Sequence, residues 1–312
     1  MNLTAPVTLL GLDWSTPDTP RLRITDPTNP NGSLLHPLLG EHTFRIDGDQ
    51  RRCVGWFNLT GTEARHVRCR TDEIVTRGRQ CRRCQYKEGF IAAHQAHRDS
   101  TALPENIRDY LQQPHWLYLD VFAKGMTKVG TAAESRRRSR LAEQGPVAAV
   151  YIARTHDGMT IRALESAVSQ HFGLPQQVPT RRKILGLHET VDTATLTTWL
   201  TDLATQVVSY LDKLTTDQPG IEVSSDPELW VRSACATTVF EAAPVLAYPA
   251  DLTQGTHHLH ITGASGPVAL FTTDPEPHTD AARYCADLTR LIGRRLTPAT
   301  PEDTLTSAPT LF

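Results

Sequence analysis

Apolar and polar positions alternate in short runs near the start of the chain. Leu22-Arg-Ile-Thr25 and Thr43-Phe-Arg-Ile-Asp47 put every second side chain on one face, the pattern of a half-buried strand. Arg52-Cys-Val-Gly-Trp-Phe57 predicts a third strand. Residues 15–37 are rich in Pro, Asp, Asn and Thr and hold the turn run Asp26-Pro-Thr-Asn-Pro-Asn-Gly32. The period then changes. Phe90, Ile91, Ala93, His94 and His97 fall at helical spacing and predict a helix over 85–100, and a shorter one is expected over 105–112, stopped before Pro114. His115–Phe122 and Thr127–Thr131 read as strands joined by a turn at Lys124-Gly125. Ser135–Glu143 reads as a charged helix, Val147–Ala153 as a third strand, and Thr160–Phe172 as a helix closed by Gly173. This β-β-α-β-α order predicts a small three-stranded sheet with helices packed on it.

Residues 175–190 read as a basic connector containing proline. Leu196, Leu200, Leu203, Val207 and Leu211 repeat at spacings of three and four, the stripe of a long amphipathic helix over 193–214. Beyond it, strands are expected at Val245–Tyr248, His258–Ile261 and Val268–Phe271, and a helix from Asp280 to Arg295. The Pro/Thr-rich tail from Thr297 on is expected to be disordered. The fold class expected is α/β, of the α+β kind. A β-rich N-terminal and four-cysteine region (1–100) precedes a core (101–190), a helical and β-containing C-terminal region (191–296) and a tail (297–312). No apolar run approaches the ~20 residues a membrane helix needs. The first residues lack the basic start of a signal peptide, so a cytoplasmic protein without a membrane partner is expected.

Charge separates these regions. The chain of 312 residues has a net charge of −2, yet residues 51–183 carry 23 Lys and Arg against 12 Asp and Glu, a net +11. Residues 184–312 carry 6 against 16, a net −10. A basic middle can neutralise phosphates and release their counterions, which makes DNA or RNA the expected partner.

Cys53, Cys69, Cys81 and Cys84 lie in one short stretch. Cys81-Arg-Arg-Cys84 is a C-x2-C knuckle, which supplies two thiolates from one tight turn. Cys53 and Cys69 have to be joined to it by the fold. Four thiolates would close a tetrahedral shell around Zn²⁺, which makes the expected metal structural. His66, His94 and His97 are alternative ligands.

Trp116-Leu-Tyr118 is followed, after nine residues, by Lys128-Val-Gly130, then by Arg140-Leu-Ala-Glu-Gln144-Gly145 and by Arg162-Ala-Leu-Glu165. This series resembles the GIY-YIG nuclease superfamily, in particular the divergent branch that writes its second signature as Lys, Ile or Val, Gly. With Cys53-Val-Gly55, Gln80-Cys-Arg-Arg-Cys84 and Gln113-Pro-His115 added, residues 45–190 look like an uncharacterised bacterial family that joins a four-cysteine region to such a core. The resemblance implies a metal-dependent endonuclease. It implies Tyr118 assisting the nucleophile, Arg140 steadying the phosphate, and Glu165 holding one Mg²⁺ or Mn²⁺ ion. Arg138 competes with Arg140 for its role, because the helix holds four arginines. Arg136, Arg137 and Arg138 would contact substrate, and Gly130 would allow close backbone packing at the edge of the site. The second-signature tyrosine is Lys128 here, which can hold phosphate but does not reproduce a phenol. Two other readings follow: a non-catalytic DNA- or RNA-binding protein, and an enzyme using the same core on a substrate that is not a nucleic acid.

Overall fold

The alternation over the first fifty residues becomes four strands: β1 (Val7–Asp13), β2 (Arg21–Thr25), β3 (Ser33–Pro37) and β4 (Gly40–Ile46). They belong to a computed structural model that describes residues 1–88, 105–274 and 281–301, apart from 2, 61, 217 and 219. Leu22, Ile24, Phe44 and Ile46 are buried, as the two-residue period requires. The strand expected over 52–57 starts only at Trp56. Arg52 makes an isolated bridge to Ile74, and Gly55 turns the chain at φ +85°. β5 (Trp56–Thr60) then pairs with β6 (Glu63–Val67). α1 (Arg82–Glu88) overlaps the helix expected over 85–100 only at residues 85–88. The positions that predicted that helix, Phe90, Ile91, Ala93, His94 and His97, lie outside the described residues.

The middle of the chain follows the expected order closely. α2 (Glu105–Leu111) leads into β7 (His115–Val121), β8 (Thr127–Ala133), α3 (Arg137–Gln144), β9 (Ala148–Thr155) and α4 (Gly158–Phe172). The connector expected over 175–190 contains α5 (Thr180–Gly186). α6 (Thr193–Thr215) is the long amphipathic helix. The sheet has four strands, not three, in the order β10-β9-β7-β8, because β10 (Ile221–Leu229) adds to β9. Pro227 falls where the β10–β9 register shifts between Val223 and Glu228, so an edge strand tolerates its missing donor. Leu117, Leu119 and Val121 of β7 pack with Ile161 and Val168 of α4 and with Leu200, Val207 and Leu211 of α6. Each such side chain, fully buried, contributes ~1.5–3 kcal/mol. The opposite face of β7 and β9 presents Tyr118 and Tyr151, covered by Leu141 of α3.

The C-terminal part returns to the first sheet. α7 (Ala234–Glu241) is followed by β11 (Leu246–Ala247), β12 (Thr256–Ser265), β13 (Val268–Thr272), β14 (Tyr284–Asp287) and β15 (Arg295–Thr297). The nine-stranded order is β11-β14-β13-β12-β4-β15-β1-β2-β3. The helix expected from Asp280 to Arg295 is therefore replaced by two strands flanking a short 3-10 turn, Leu288–Leu291. Cys285, Leu288, Leu291 and Ile292 do sit at helical spacing, but Tyr284–Asp287 gains a ladder with β13 and Gly293 turns at φ +83°. Of the tail, Thr297 ends β15, and residues 302–312 lie outside the described residues.

The molecule is a mixed α+β protein, with the four-cysteine segment ahead of the helix-covered sheet. Two compact units emerge. One is built from Met1–Asn58, Arg65–Glu88 and the chain from Ala234 on, the other from Leu59–Ala64 and the chain through to Ser233. The expected C-terminal region is thus divided, with α6 and β10 in the second unit and the later strands in the first. Among the described residues no helix is long and apolar enough to cross a membrane.

Asp157 starts α4. Its carboxylate accepts from the Met159 and Thr160 amides at 2.7 and 2.8 Å and from the Thr160 hydroxyl at 2.8 Å. Burial opposes ionisation, but the bonds from Thr160 and Met159 outweigh it and hold the carboxyl below its ordinary value. A depressed carboxyl stabilises the fold above its unfolded pKa and loses that contribution as the pH falls through the folded one. Asp157→Ala is expected to lower the unfolding free energy by about 0.5–2 kcal/mol at neutral pH. In urea melts, the gap to wild type is expected to close as the pH is taken below the ordinary aspartate range.

Candidate functional site

The β7–β8 hairpin turns at Lys124 and Gly125, both with positive φ. Residues equally far on either side face each other, so Tyr118 lies opposite Gly130 and Asp120 opposite Lys128. The Lys128 ammonium donates to the Tyr118 hydroxyl at 3.3 Å and lies 3.5 Å from the Asp120 carboxylate. Gly130 makes room for this arrangement. A methyl group there would lie 2.5 Å from the Tyr118 hydroxyl oxygen and 2.6 Å from the ring carbon that bears it. Asp120 and Tyr118 are both 0% exposed and Lys128 is 2% exposed.

Burial raises the Asp120 carboxyl above its ordinary value, against the pull of Lys128, Lys183 and Arg140. Burial also disfavours the Lys128 ammonium. The adjoining Asp120 outweighs that, with help from Tyr118, and keeps the amine charged beyond the usual lysine range.

Helix α3 brings the arginine. Leu141 and Ala142 bury one side of it, and Gly145 ends it in the left-handed conformation, φ 67°. Lys183 of α5 donates to the Gln144 carbonyl at 2.6 Å, so a cation caps the negative end of the helix. The run Arg140-Leu-Ala-Glu-Gln-Gly145 is thereby accounted for. Its Glu143 pairs with Arg136 and, at 3.7 Å, with Arg140.

Arg140 faces the Tyr118 hydroxyl and leaves 37% of its side chain accessible. Burial disfavours its charge, but Tyr118 and Glu143 outweigh that and raise its pKa. Arg137 lies 4.0 Å from the centroid of the Trp116 ring and 4.3 Å from that of Tyr151, and it pairs with Glu228. Arg138 is exposed. Arg136 thus pairs with Glu143, and Arg137 with Glu228 and two aromatic rings. Arg140, rather than Arg138, is the arginine of this helix beside Tyr118.

Glu165 stands on α4 and is half-buried. Burial raises its carboxyl above the ordinary glutamate value, and Arg162, Lys128 and Arg140 act in the opposite direction. Tyr118, Lys128 and Arg140, from three elements, therefore come together, and Glu165, from a fourth, interacts electrostatically with Lys128 and Arg140. Asp120 and Lys183, absent from the expected set, join them. Four cations (Lys128, Arg140, Arg162, Lys183) face three carboxylates (Asp120, Glu165 and the Glu143 paired with Arg140), which leaves a formal surplus of one positive charge, suited to an oxyanion.

The cysteines form a second cluster. The four Sγ atoms of Cys53, Cys69, Cys81 and Cys84 lie within 4.8 Å of one another, and all four residues are buried. A tetrahedral ion with metal–sulfur bonds of ~2.3 Å separates its sulfurs by roughly 3.8 Å. Cys69 and Cys81 stand 3.9 Å apart. The amides of Cys81 and Gly55 point at the Cys53 sulfur, at 3.2 and 3.5 Å. Gly55 also shows how Cys53 and Cys69 meet, since its α-carbon lies against the backbone of Val67 and Arg68. A Cβ there would be 2.2 Å from the Val67 carbonyl oxygen. His66 is not a ligand, because its Nε2 bonds the Val54 carbonyl at 2.7 Å, and His94 and His97 lie outside the described residues. Two of the nearby arginines have local partners: Arg52 pairs with Asp72 at 2.7 Å and Arg68 donates to the Pro30 carbonyl at 2.8 Å.

Gly130→Ala is expected to destabilise the protein by about 1–3 kcal/mol, the usual cost of overfilling a close-packed core. Urea denaturation measures the loss, and unchanged stability would show that the Tyr118 ring does not sit over Gly130.

Among comparisons with known proteins, the family model described as "Protein of unknown function (DUF2797)" matches residues 43–253. No curated protein and no solved structure matches the chain. The matched span holds all four cysteines together with β7 through α6, and covers 211 of 312 residues. By that match the chain belongs to the DUF2797 family.

Proposed function

We propose that the protein is a metal-dependent endonuclease-like enzyme, cleaving phosphodiester bonds in nucleic acid on a GIY-YIG-like core, with a zinc ion holding its cysteine region. The observation that supports this reading is the meeting of a phenol, two cations and a carboxylate from four elements. Tyr118, Arg140 and Glu165 carry the three roles implied by the resemblance of residues 115–165, and Lys128 stands where the family's second tyrosine would be. The surplus of positive charge suits a phosphate diester, and the basic residues of 51–183 suit a polyanion.

Arg140, the accessible cation, receives the phosphate. Lys128 donates to the Tyr118 oxygen, which leaves the phenol hydrogen free to turn toward another acceptor. Glu165 is the carboxylate that would hold Mg²⁺ or Mn²⁺. One protein carboxylate suffices when phosphate oxygens and water complete the shell, and the incoming phosphate offsets the surrounding cations. When bound, the ion would acidify a water and neutralise charge on the phosphate.

Glu165→Ala is expected to abolish cleavage of mixed DNA and RNA substrates in Mn²⁺ while leaving binding nearly intact. Cleavage surviving that change rules out the assignment.

A second reading is favoured by one observation. Tyr118 has no accessible surface and Lys128 only 2%. A protein that binds nucleic acid without cutting it needs only Arg140 and the outer basic residues exposed. Its signature is salt-dependent binding with no cleavage in Mg²⁺ or Mn²⁺.

Zinc fits the cysteine cluster by ligand chemistry and by spacing. Elemental analysis is expected to find one zinc per chain. Cys81→Ser is expected to release it and to cost several kcal/mol of stability, since metal binding and folding are coupled. Full stability without zinc would remove the metal from the account.

A further inference from the structure

We propose that Asp120 is a positioning residue of the site, a buried anion that fixes Lys128 as a permanent cation aimed at the Tyr118 hydroxyl. This rests on the function proposed above and adds a residue that the resemblance does not supply.

Three observations carry the inference. Asp120 is the direct partner of Lys128 across the β7–β8 ladder, two residues from Tyr118 and on the same face of β7. Its carboxylate is 3.5 Å from the Lys128 ammonium, and among the described residues neither of its oxygens accepts a hydrogen bond. It is 0% exposed, so it does not touch a substrate itself. A carboxylate so placed is costly unless its charge serves a neighbour. The charged groups around the pair are Arg140 from α3, Glu165 from α4 and Lys183 from α5. Lys183 is already engaged with the Gln144 carbonyl. Arg140 is drawn toward Glu143, which leaves Lys128 as the cation nearest Asp120.

The chemical consequence concerns the second signature. A lysine there would act as a base only if it lost its proton, and a buried lysine without a counter-ion does so readily. With Asp120 beside it, Lys128 keeps its proton. Its part is to donate to Tyr118 and to stabilise negative charge nearby, while proton removal falls to another group. No bond is made or broken by Asp120.

The test uses the full chain with isotopically labelled lysine, the Lys128 signal being assigned by its loss in Lys128→Arg. In wild type the Lys128 ammonium is expected to stay protonated past the pH at which the exposed lysines titrate. A Lys128 that titrates with or before them overturns the proposal, and this reading needs no variant at Asp120. In Asp120→Asn the Lys128 midpoint is expected to fall by at least about one pH unit, while Asp120→Glu, which keeps the charge, restores most of it. An unchanged midpoint in Asp120→Asn also overturns it.

Cleavage provides the functional arm. Asp120→Asn is expected to lower kcat about tenfold or more with little change in KM. The double variant Asp120→Asn/Lys128→Met is expected to melt above Asp120→Asn alone, because no unpaired charge is left buried, yet to regain no cleavage. Recovery of cleavage in the double variant would reduce Asp120 to a structural residue. If wild type cuts no substrate, the endonuclease reading falls, while the lysine titration still decides the role of Asp120.

Discussion

An ammonium group stripped of water is destabilised by several kcal/mol unless an anion replaces the lost hydration. In the second unit Lys128 meets that demand through Asp120, its partner across the β7–β8 ladder. The register of that ladder therefore has an electrostatic as well as an apolar reason. A slip by one residue would expose Leu117 and Leu119 to the polar face and leave Asp120 facing the wrong neighbour. The same register puts Gly130 under the Tyr118 ring, where any larger residue would push the phenol away. Helix α3 then closes over the tyrosines through Leu141 and delivers Arg140, and Lys183 fixes the end of that helix.

The cysteine cluster depends on a different constraint. Its knuckle is local, but Cys53 and Cys69 come from two separated loops. They meet because Gly55 adopts a conformation open to glycine and lets the backbone of 67–68 pass within contact distance. Amides from Gly55 and Cys81 then orient the Cys53 sulfur. The result is a buried cluster of four sulfurs whose spacing is compatible with a tetrahedral metal ion.

Much of this was legible along the chain. Helical spacing in α6, the β-β-α-β-α order of the middle and the four thiols all follow from local pattern. Tyr118, Lys128, Arg140 and Glu165 stand out in the sequence through the resemblance of residues 115–165 rather than through local pattern. What escaped was set by long-range partners. Asp120 looks like a stray polar residue until the turn at Lys124 is used to count outward, which pairs it with Lys128. Lys183 gave no signal, since α5 is short and has no apolar period. The stretch around Cys285 and Leu288 has helical spacing, yet pairing with β13 decided its fate. β10 was hidden by Pro227 and by its acidic residues, which an edge strand accommodates.

The strand order of the larger sheet carries a consequence for synthesis. β4, made early, lies between β12 and β15, made some two hundred residues later. A ribosome therefore releases the whole middle unit, with its nearby pairings, before the first sheet can acquire its central neighbours. Until then both edges of β4 are without those partners, and the early strands wait as an open template.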